Sequence, residues 1–176
     1  MSRLTSIAVL AILIFGAAPL AQANSSEVLQ ASLLPSADAF AQGGAYPLAI
    51  RLTVKPGMHI NANQPGDPDI IPTKIQLTAS GGLSLGPVSY PPAKKIKLGF
   101  AEKPLAVFDG AVLVRTTLQV ALDAKLGDHH VAAKISFQGC DDNMCLMPET
   151  QEVVLKVKVV PAGQKVLPLN RDVFAR

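Results

Sequence analysis

Cys140 and Cys145 are the only cysteines of the 176-residue chain, and both stand in "FQGCDDNMCLMPE", residues 137–149. A thiol pair this close supports three kinds of chemistry: a structural cross-link, reversible thiol–disulfide exchange, or ligation of a soft metal. Asp141, Asp142 and Asn143 suit a tight turn, because their short polar side chains bond to the turn's own backbone. If residues 141–144 form a hairpin loop, the cysteines face each other across its base. Such cross-strand partners sit about 4.5–5.5 Å apart at Cα, within the span of a disulfide.

The energetics weigh on what such a bond is for. Closing so short a loop removes little chain entropy, worth roughly 2 kcal/mol against about 4.7 for a 100-residue loop. A hairpin largely holds itself, so the bond adds little as a staple. A rim hairpin is also open to another protein's thiolate, which exchange requires. Spacing alone leaves staple and exchange about even. Two acids beside Cys140 disfavour its thiolate, whereas Cys145 lies between Met144 and Leu146. Cys145 is therefore the expected point of attack. Soft ligands at Cys140, Cys145, Met144, Met147 and His59 would suit Cu(I). Strand neighbours such as Met144 and Cys145 point to opposite faces, however, and Met58, Met144 and Met147 read as packing residues. The expectation is no metal and no cofactor. His129 and His130, in "GDHH", read as solvated turn residues, and no nucleophile–base pair for hydrolysis stands out.

The elements that position the hairpin read as strands. In "YPLAIRLTVKPG", Leu48, Ile50, Leu52 and Val54 share one face, and Lys55-Pro56-Gly57 ends the run. "MHINAN" continues it across the turn, and "QPGDPD" is a loop. "TKIQLTA" is a further strand. "LSLGPVSYPPAKKIKLGF" is broken by prolines, which suits an edge strand and a long loop. "LAVFDG" leads into a strand with Val112, Val114, Thr116, Leu118 and Val120 on one face. Val131, Ala133, Ile135 and Phe137 align on the next. Val153, Leu155, Val157 and Val159 oppose Lys156 and Lys158 on the last. Seven or eight short strands with turns between them favour an all-β fold, an immunoglobulin-like antiparallel β-sandwich, with a small closed barrel as the alternative. An antibody-type core bridge joins cysteines far apart in sequence beside a tryptophan. This chain has no tryptophan, so its pair is not that bridge.

At the amino end, Arg3 precedes an apolar run from Ile7 to Ala18, and Ala21-Gln22-Ala23 closes it. This reads as a secretory signal peptide, residues 1–23, since the run is short of the roughly 20 apolar residues of a span. Its removal takes one basic residue and lowers the net charge from +3 to +2. About 153 residues remain, enough for one domain with its own core. The expected organisation is a leader with one short helix at 24–41, the domain at 42–160 and an aperiodic tail at 161–176. No basic cluster suggests nucleic acid. No second long apolar run exists, so the mature chain is not expected to span a membrane. Export permits disulfides.

"ISFQGCDDNMCLMPETQEVVLKV" resembles the active-site hairpin of the family formed by the N-terminal periplasmic domain of the thiol:disulfide interchange protein DsbD. Phe137, Gln138, Gly139, Cys140, Cys145, Pro148 and Glu149 fall on its pattern in order. "VKPGMHINAN" and "KLGFAEKPLAVFDGAVLV" resemble its early strand and its middle segment, so the likeness runs from about Leu34 to Val160. The resemblance implies an immunoglobulin-like sandwich whose two cysteines carry electrons, a protein-disulfide reductase type of carrier. A thioredoxin-like domain fed by a membrane domain would reduce it. It would in turn reduce periplasmic disulfide isomerases and cytochrome c maturation thioredoxins. An aromatic cap covers the cysteines in that family, and Phe100 is the candidate here. Two departures stand out: the loop is one residue shorter than in the best-known members, and the donor is expected to be a separate protein.

Overall fold

The computed structural model describes residues 27–174, so the expected signal peptide, residues 1–23, lies outside the described residues. The strands are, in chain order, β1 (Leu29–Pro35), β2 (Phe40–Ala41), β3 (Ala45–Val54), β4 (His59–Asn61), β5 (Lys74–Ala79) and β6 (Leu83–Leu85). Then come β7 (Lys94–Ile96), β8 (Leu105–Phe108), β9 (Ala111–Val120), β10 (Gly127–Phe137), β11 (Gly139–Cys140) and β12 (Glu149–Val160). A single helical turn, α1 (Arg171–Phe174), follows.

Two four-stranded sheets make the sandwich, one in the order β1-β3-β9-β6 and the other β2-β12-β10-β5. Period-2 alternation explains why they meet. On β3, Leu48, Ile50, Leu52 and Val54 are buried, and on β9 Val112, Val114, Thr116, Leu118 and Val120 are. From the other sheet come Val131, Ala133, Ile135 and Phe137 of β10 with Val157 and Val159 of β12. These residues form one core cluster. Each fully buried large aliphatic or aromatic side chain contributes about 1.5–3 kcal/mol, and no cross-link joins the two layers. The result is the expected immunoglobulin-like antiparallel sandwich. The strands divide into packed sheets rather than closing on one another as a barrel.

Two stretches differ from the sequence reading. The leader with a short helix is replaced by strand: β1 pairs with β3 from Leu29↔Val54 to Pro35↔Leu48, and β2 runs parallel to the end of β12. Leu29 and Leu33 are buried while Gln30 and Ser32 face out. That short alternation lets β1 cover the open edge of β3 and satisfy its backbone groups. The aperiodic tail is also docked. Leu169 donates its N–H to the Ser36 carbonyl (2.8 Å), and Leu167 donates to Asp38 Oδ1 (2.8 Å). Arg115 donates to the Val173 carbonyl (3.0 Å), and the Val173 side chain is buried.

A third, smaller sheet, β11-β4-β8-β7, sits beside the sandwich. "MHINAN" does not extend β3 across its turn; it forms β4 in this separate sheet. β11 follows β10 after one residue, Gln138, so the chain passes from the main core into the small sheet right at the cysteines.

Candidate functional site

The second sheet ends at Phe137, which is fully buried and anchors the start of the cysteine hairpin. Gly139 then passes close to Val28: a Cβ added there would lie 3.0–3.2 Å from that side chain. The glycine therefore lets β11 press against the core. The turn is built by Asp141. Its Oδ1 accepts the N–H groups of Asn143 (2.7 Å) and Met144 (2.8 Å), an Asx turn of the kind these residues favour. Those two bonds stabilise the carboxylate and hold the Asp141 pKa below its ordinary value. The Asp141 N–H donates to the Met144 carbonyl (2.9 Å), and the Leu146 N–H to the Gly139 carbonyl (2.8 Å).

Across the base of this turn Cys140 and Cys145 form a disulfide, with Cα atoms 4.0 Å apart. The cysteines are bridge partners, as the hairpin reading requires, and are closer than the expected 4.5–5.5 Å. Their environments differ. Cys140 is fully buried, whereas Cys145 is partly exposed. Of the two residues, Cys145 is therefore the more accessible from solvent.

Beneath Cys140 lies a polar floor supplied by β4. Cys140 pairs with His59 in the β11–β4 register, and His59 and Asn61 occupy alternate positions, so both face the cysteine's side of the strand. Asn61 Oδ1 lies 3.9 Å from Cys140 Sγ. The oxidised sulfur carries no proton, so this is a contact; a reduced thiol there would have an acceptor. Asn61 Nδ2 donates to the Ile71 carbonyl (3.0 Å) and to Gln138 Oε1 (3.3 Å). With both amide protons used, the carbonyl end is the one turned to the sulfur. Gln138 Nε2 in turn donates to the Leu146 carbonyl (2.9 Å), tying this network to the far arm of the hairpin. His59 is buried and its Nε2 has no hydrogen-bond partner among the described residues. Burial lowers its pKa, and the negative charges of Asp142, Asp141 and Asp109 act against that shift.

The segment proposed for a lid reaches the hairpin. The Gly99 N–H donates to the Asp142 carbonyl (3.0 Å). A Cβ on Gly99 would lie 3.1 Å from that oxygen, so glycine permits the approach. Leu98 is buried with Leu105 and Val107, and the Lys97 ammonium donates to the carbonyls of Ala101 and Glu102. Phe100 stands next to this junction and is 40% exposed. Of the soft-ligand set, Met144 and Met147 are exposed, 57% and 74%, rather than packed as the sequence suggested. Met58 does pack against the core. The two sulfurs are bonded to each other, and no group of three or more His, Cys, Asp or Glu able to hold a metal occurs among the described residues. Asn61 and Gln138 had no assigned role in the sequence reading. The signal for Asn61 was its alternation with His59 about Ile60 in "HIN", and for Gln138 its place in the family-like "FQGC" pattern.

A family model described as the N-terminal domain of the thiol:disulfide interchange protein DsbD matches residues 30–157. The chain belongs to this family. The match starts within β1, so this family domain includes strand that the sequence reading had set aside as leader. Among solved structures, the N-terminal periplasmic domain of ScsB from Proteus mirabilis aligns with a TM-score of 0.51 and 12% identity. The alignment covers 75% of this chain and 47% of that one, so the chain spans about half the length of the ScsB structure. The reduced N-terminal domain of DsbD from Neisseria meningitidis aligns at 13% identity and a TM-score of 0.43, covering 83% of this chain and 94% of that one. No curated protein matches the sequence. A disulfide in a family domain of this type fits thiol–disulfide interchange. No helix among the described residues is long and apolar enough to cross a membrane.

Proposed function

We propose that this chain is a periplasmic thiol–disulfide interchange domain that carries two electrons on Cys140 and Cys145. The observation that carries this reading is the asymmetry of the disulfide: one cysteine partly exposed, the other buried, in a hairpin outside the sandwich core. In the charging half-reaction, a donor thiolate attacks Cys145 Sγ and the Sγ–Sγ bond breaks. The donor's second thiol then displaces Cys145, leaving the donor oxidised and this domain as a dithiol. In the discharging half-reaction, the Cys145 thiolate attacks an acceptor disulfide and a mixed disulfide forms. Cys140 then attacks Cys145 Sγ, releasing the acceptor reduced. The donor is a thioredoxin-like domain linked to a membrane protein. The acceptors are exported thioredoxin-fold proteins, a disulfide isomerase or a cytochrome c maturation thioredoxin. Phe100, on a loop bonded to the hairpin, is proposed as the cap that shields the pair between partners.

A Cys140→Ser variant tests this directly, because it leaves Cys145 able to attack but removes the resolving thiol. Mixed disulfides with exported thioredoxin-fold proteins are expected to accumulate. Absence of any adduct, together with a wild-type pair that thioredoxin cannot reduce, would overturn the proposal. A reduction potential below roughly −300 mV would mark the bond as a local staple instead.

A further inference from the structure

The exchange chemistry has a difficulty at Cys140. Its sulfur is fully buried, so releasing it as a bare thiolate leaves a charge without water. Two acids of the hairpin lie close in sequence and make that charge harder to hold. A proton must therefore arrive at Cys140 as it leaves and depart as it attacks. The groups around it differ in fitness for that task. Asn61 Oδ1 can accept a hydrogen bond from the thiol but is not a base at neutral pH. Asp141 spends its carboxylate on two backbone N–H groups and is a weakened base. Asp109 is paired with Lys94 (2.6 Å). Asp142 is exposed and belongs to the solvent side of the loop. His59 is directly across from Cys140 in the strand register, buried, and has a ring nitrogen with no partner.

We propose that His59 is the proton partner of Cys140 in thiol–disulfide exchange. The inference rests on the redox reading given above. In the reduced domain the Cys140 S–H donates to His59 Nε2, which satisfies a buried acceptor that the oxidised state leaves unpaired. During resolution, the proton moves from Cys140 Sγ to Nε2, and the thiolate attacks Cys145 Sγ. The bond between Cys145 and the partner breaks, and its electron pair leaves on the partner's sulfur. The imidazolium then releases its proton to solvent through the open depression that His59 lines with Lys55, Met58, Lys94, Asp109 and Asp142. In the opposite direction the electron pair arrives on Cys140 Sγ, and His59 returns a proton taken up from solvent. Asp109, Asp141 and Asp142 favour the transient imidazolium; Lys55 and Lys94 line the same depression and oppose it.

The test uses the full chain, reduced, and the chromogenic disulfide 5,5′-dithiobis(2-nitrobenzoate). Attack by Cys145 releases a first thionitrobenzoate, and attack by Cys140 on the resulting mixed disulfide releases a second. In His59→Phe and His59→Gln, the first release is expected to be unchanged and the second slowed on the order of 100-fold, the scale of a lost general base. The wild-type second release should rise with pH through a titration below the ordinary imidazole range. In both variants it should rise only at higher pH, above the ordinary thiol range, because burial and the neighbouring acids disfavour the Cys140 thiolate. His59→Phe should also shift the dithiol–disulfide equilibrium about 10-fold toward the disulfide, roughly 30 mV. His59→Gln, which keeps an acceptor, should shift it less. A second release with unchanged rate and pH profile in His59→Gln, in a chain with wild-type melting behaviour, overturns the role of His59. Failure of the first release in the wild type would instead overturn the redox reading itself.

Discussion

The sandwich and the small sheet beside it are built on opposite terms. In the β10–β12 ladder, eleven consecutive pairs run from Gly127↔Val159 to Phe137↔Glu149, and the inner face is apolar from Val131 to Phe137 on β10 and from Val153 to Val159 on β12. The β11–β4 ladder has two pairs. Yet of the four buried polar residues described, His59, Asn61 and Thr73 belong to the small sheet's neighbourhood, with Thr73 Oγ1 donating to the Asn61 carbonyl (2.5 Å). Only Thr116 lies in the sandwich, where its hydroxyl donates to the Gly86 carbonyl (2.9 Å). The difference teaches where stability and chemistry reside. A long apolar ladder supplies free energy that does not depend on pH or redox state. A short ladder with buried polar groups supplies little, but it holds a sulfur beside acceptors and a titratable ring.

That division can be broken at either end. The largest effect is expected from Phe137→Ala, which empties a fully buried site at the last residue of β10. It should cost about 3–5 kcal/mol in denaturant unfolding; a loss no larger than that from opening the disulfide would refute the division. Reducing the disulfide, or replacing both cysteines by serine, should cost only about 2 kcal/mol, because the closed loop is short. Comparing denaturation midpoints with and without reductant measures it.

Acid should next expose the small sheet alone. Burial lowers the His59 pKa in the folded state. The unfolded chain therefore takes up this proton first, near the ordinary value of about 6.5. The His59 contribution to stability is thus complete above that pH and is lost as pH falls through the folded value. The slope for one proton is no steeper than about 1.4 kcal/mol per pH unit. Unfolding free energies of wild type and His59→Gln, measured across the same pH series, should diverge only below the unfolded value, with the variant flatter. The smallest effect belongs to Asp141→Ala. It removes the acceptor of two loop N–H groups, so amide exchange at Asn143 and Met144 should quicken while the unfolding midpoint stays put. Asp141→Asn, which keeps an acceptor oxygen, should fall between the two.

Much of the sandwich was legible because its signal repeats. Val112, Val114, Thr116, Leu118 and Val120 alternate over a ten-residue strand, and such a run has one reading. The cysteine turn was legible for a local reason: Asp141 bonds within three residues of itself. β1 was missed because its alternation is brief and begins beside a polar stretch; it becomes a strand by covering the edge of β3. The tail was missed because it has no period at all, and it is held by bonds to residues more than a hundred positions away, such as Leu167 to Asp38. Met144 and Met147 read as packing residues from composition, but the hairpin turns them outward.

By itself the sequence determined a β-rich domain, a five-position cysteine pair and the turn that joins its two halves. These follow from alternation and from contacts between near neighbours, which any local segment expresses. Tertiary structure alone decided that Cys140 is the buried cysteine and Cys145 the partly exposed one. It also decided that His59 and Asn61, some eighty positions earlier, form the floor beneath Cys140. The reason is register: which strand lies beside β11, and with which residue opposite, is set by how the whole sandwich packs. No spacing within the hairpin encodes it.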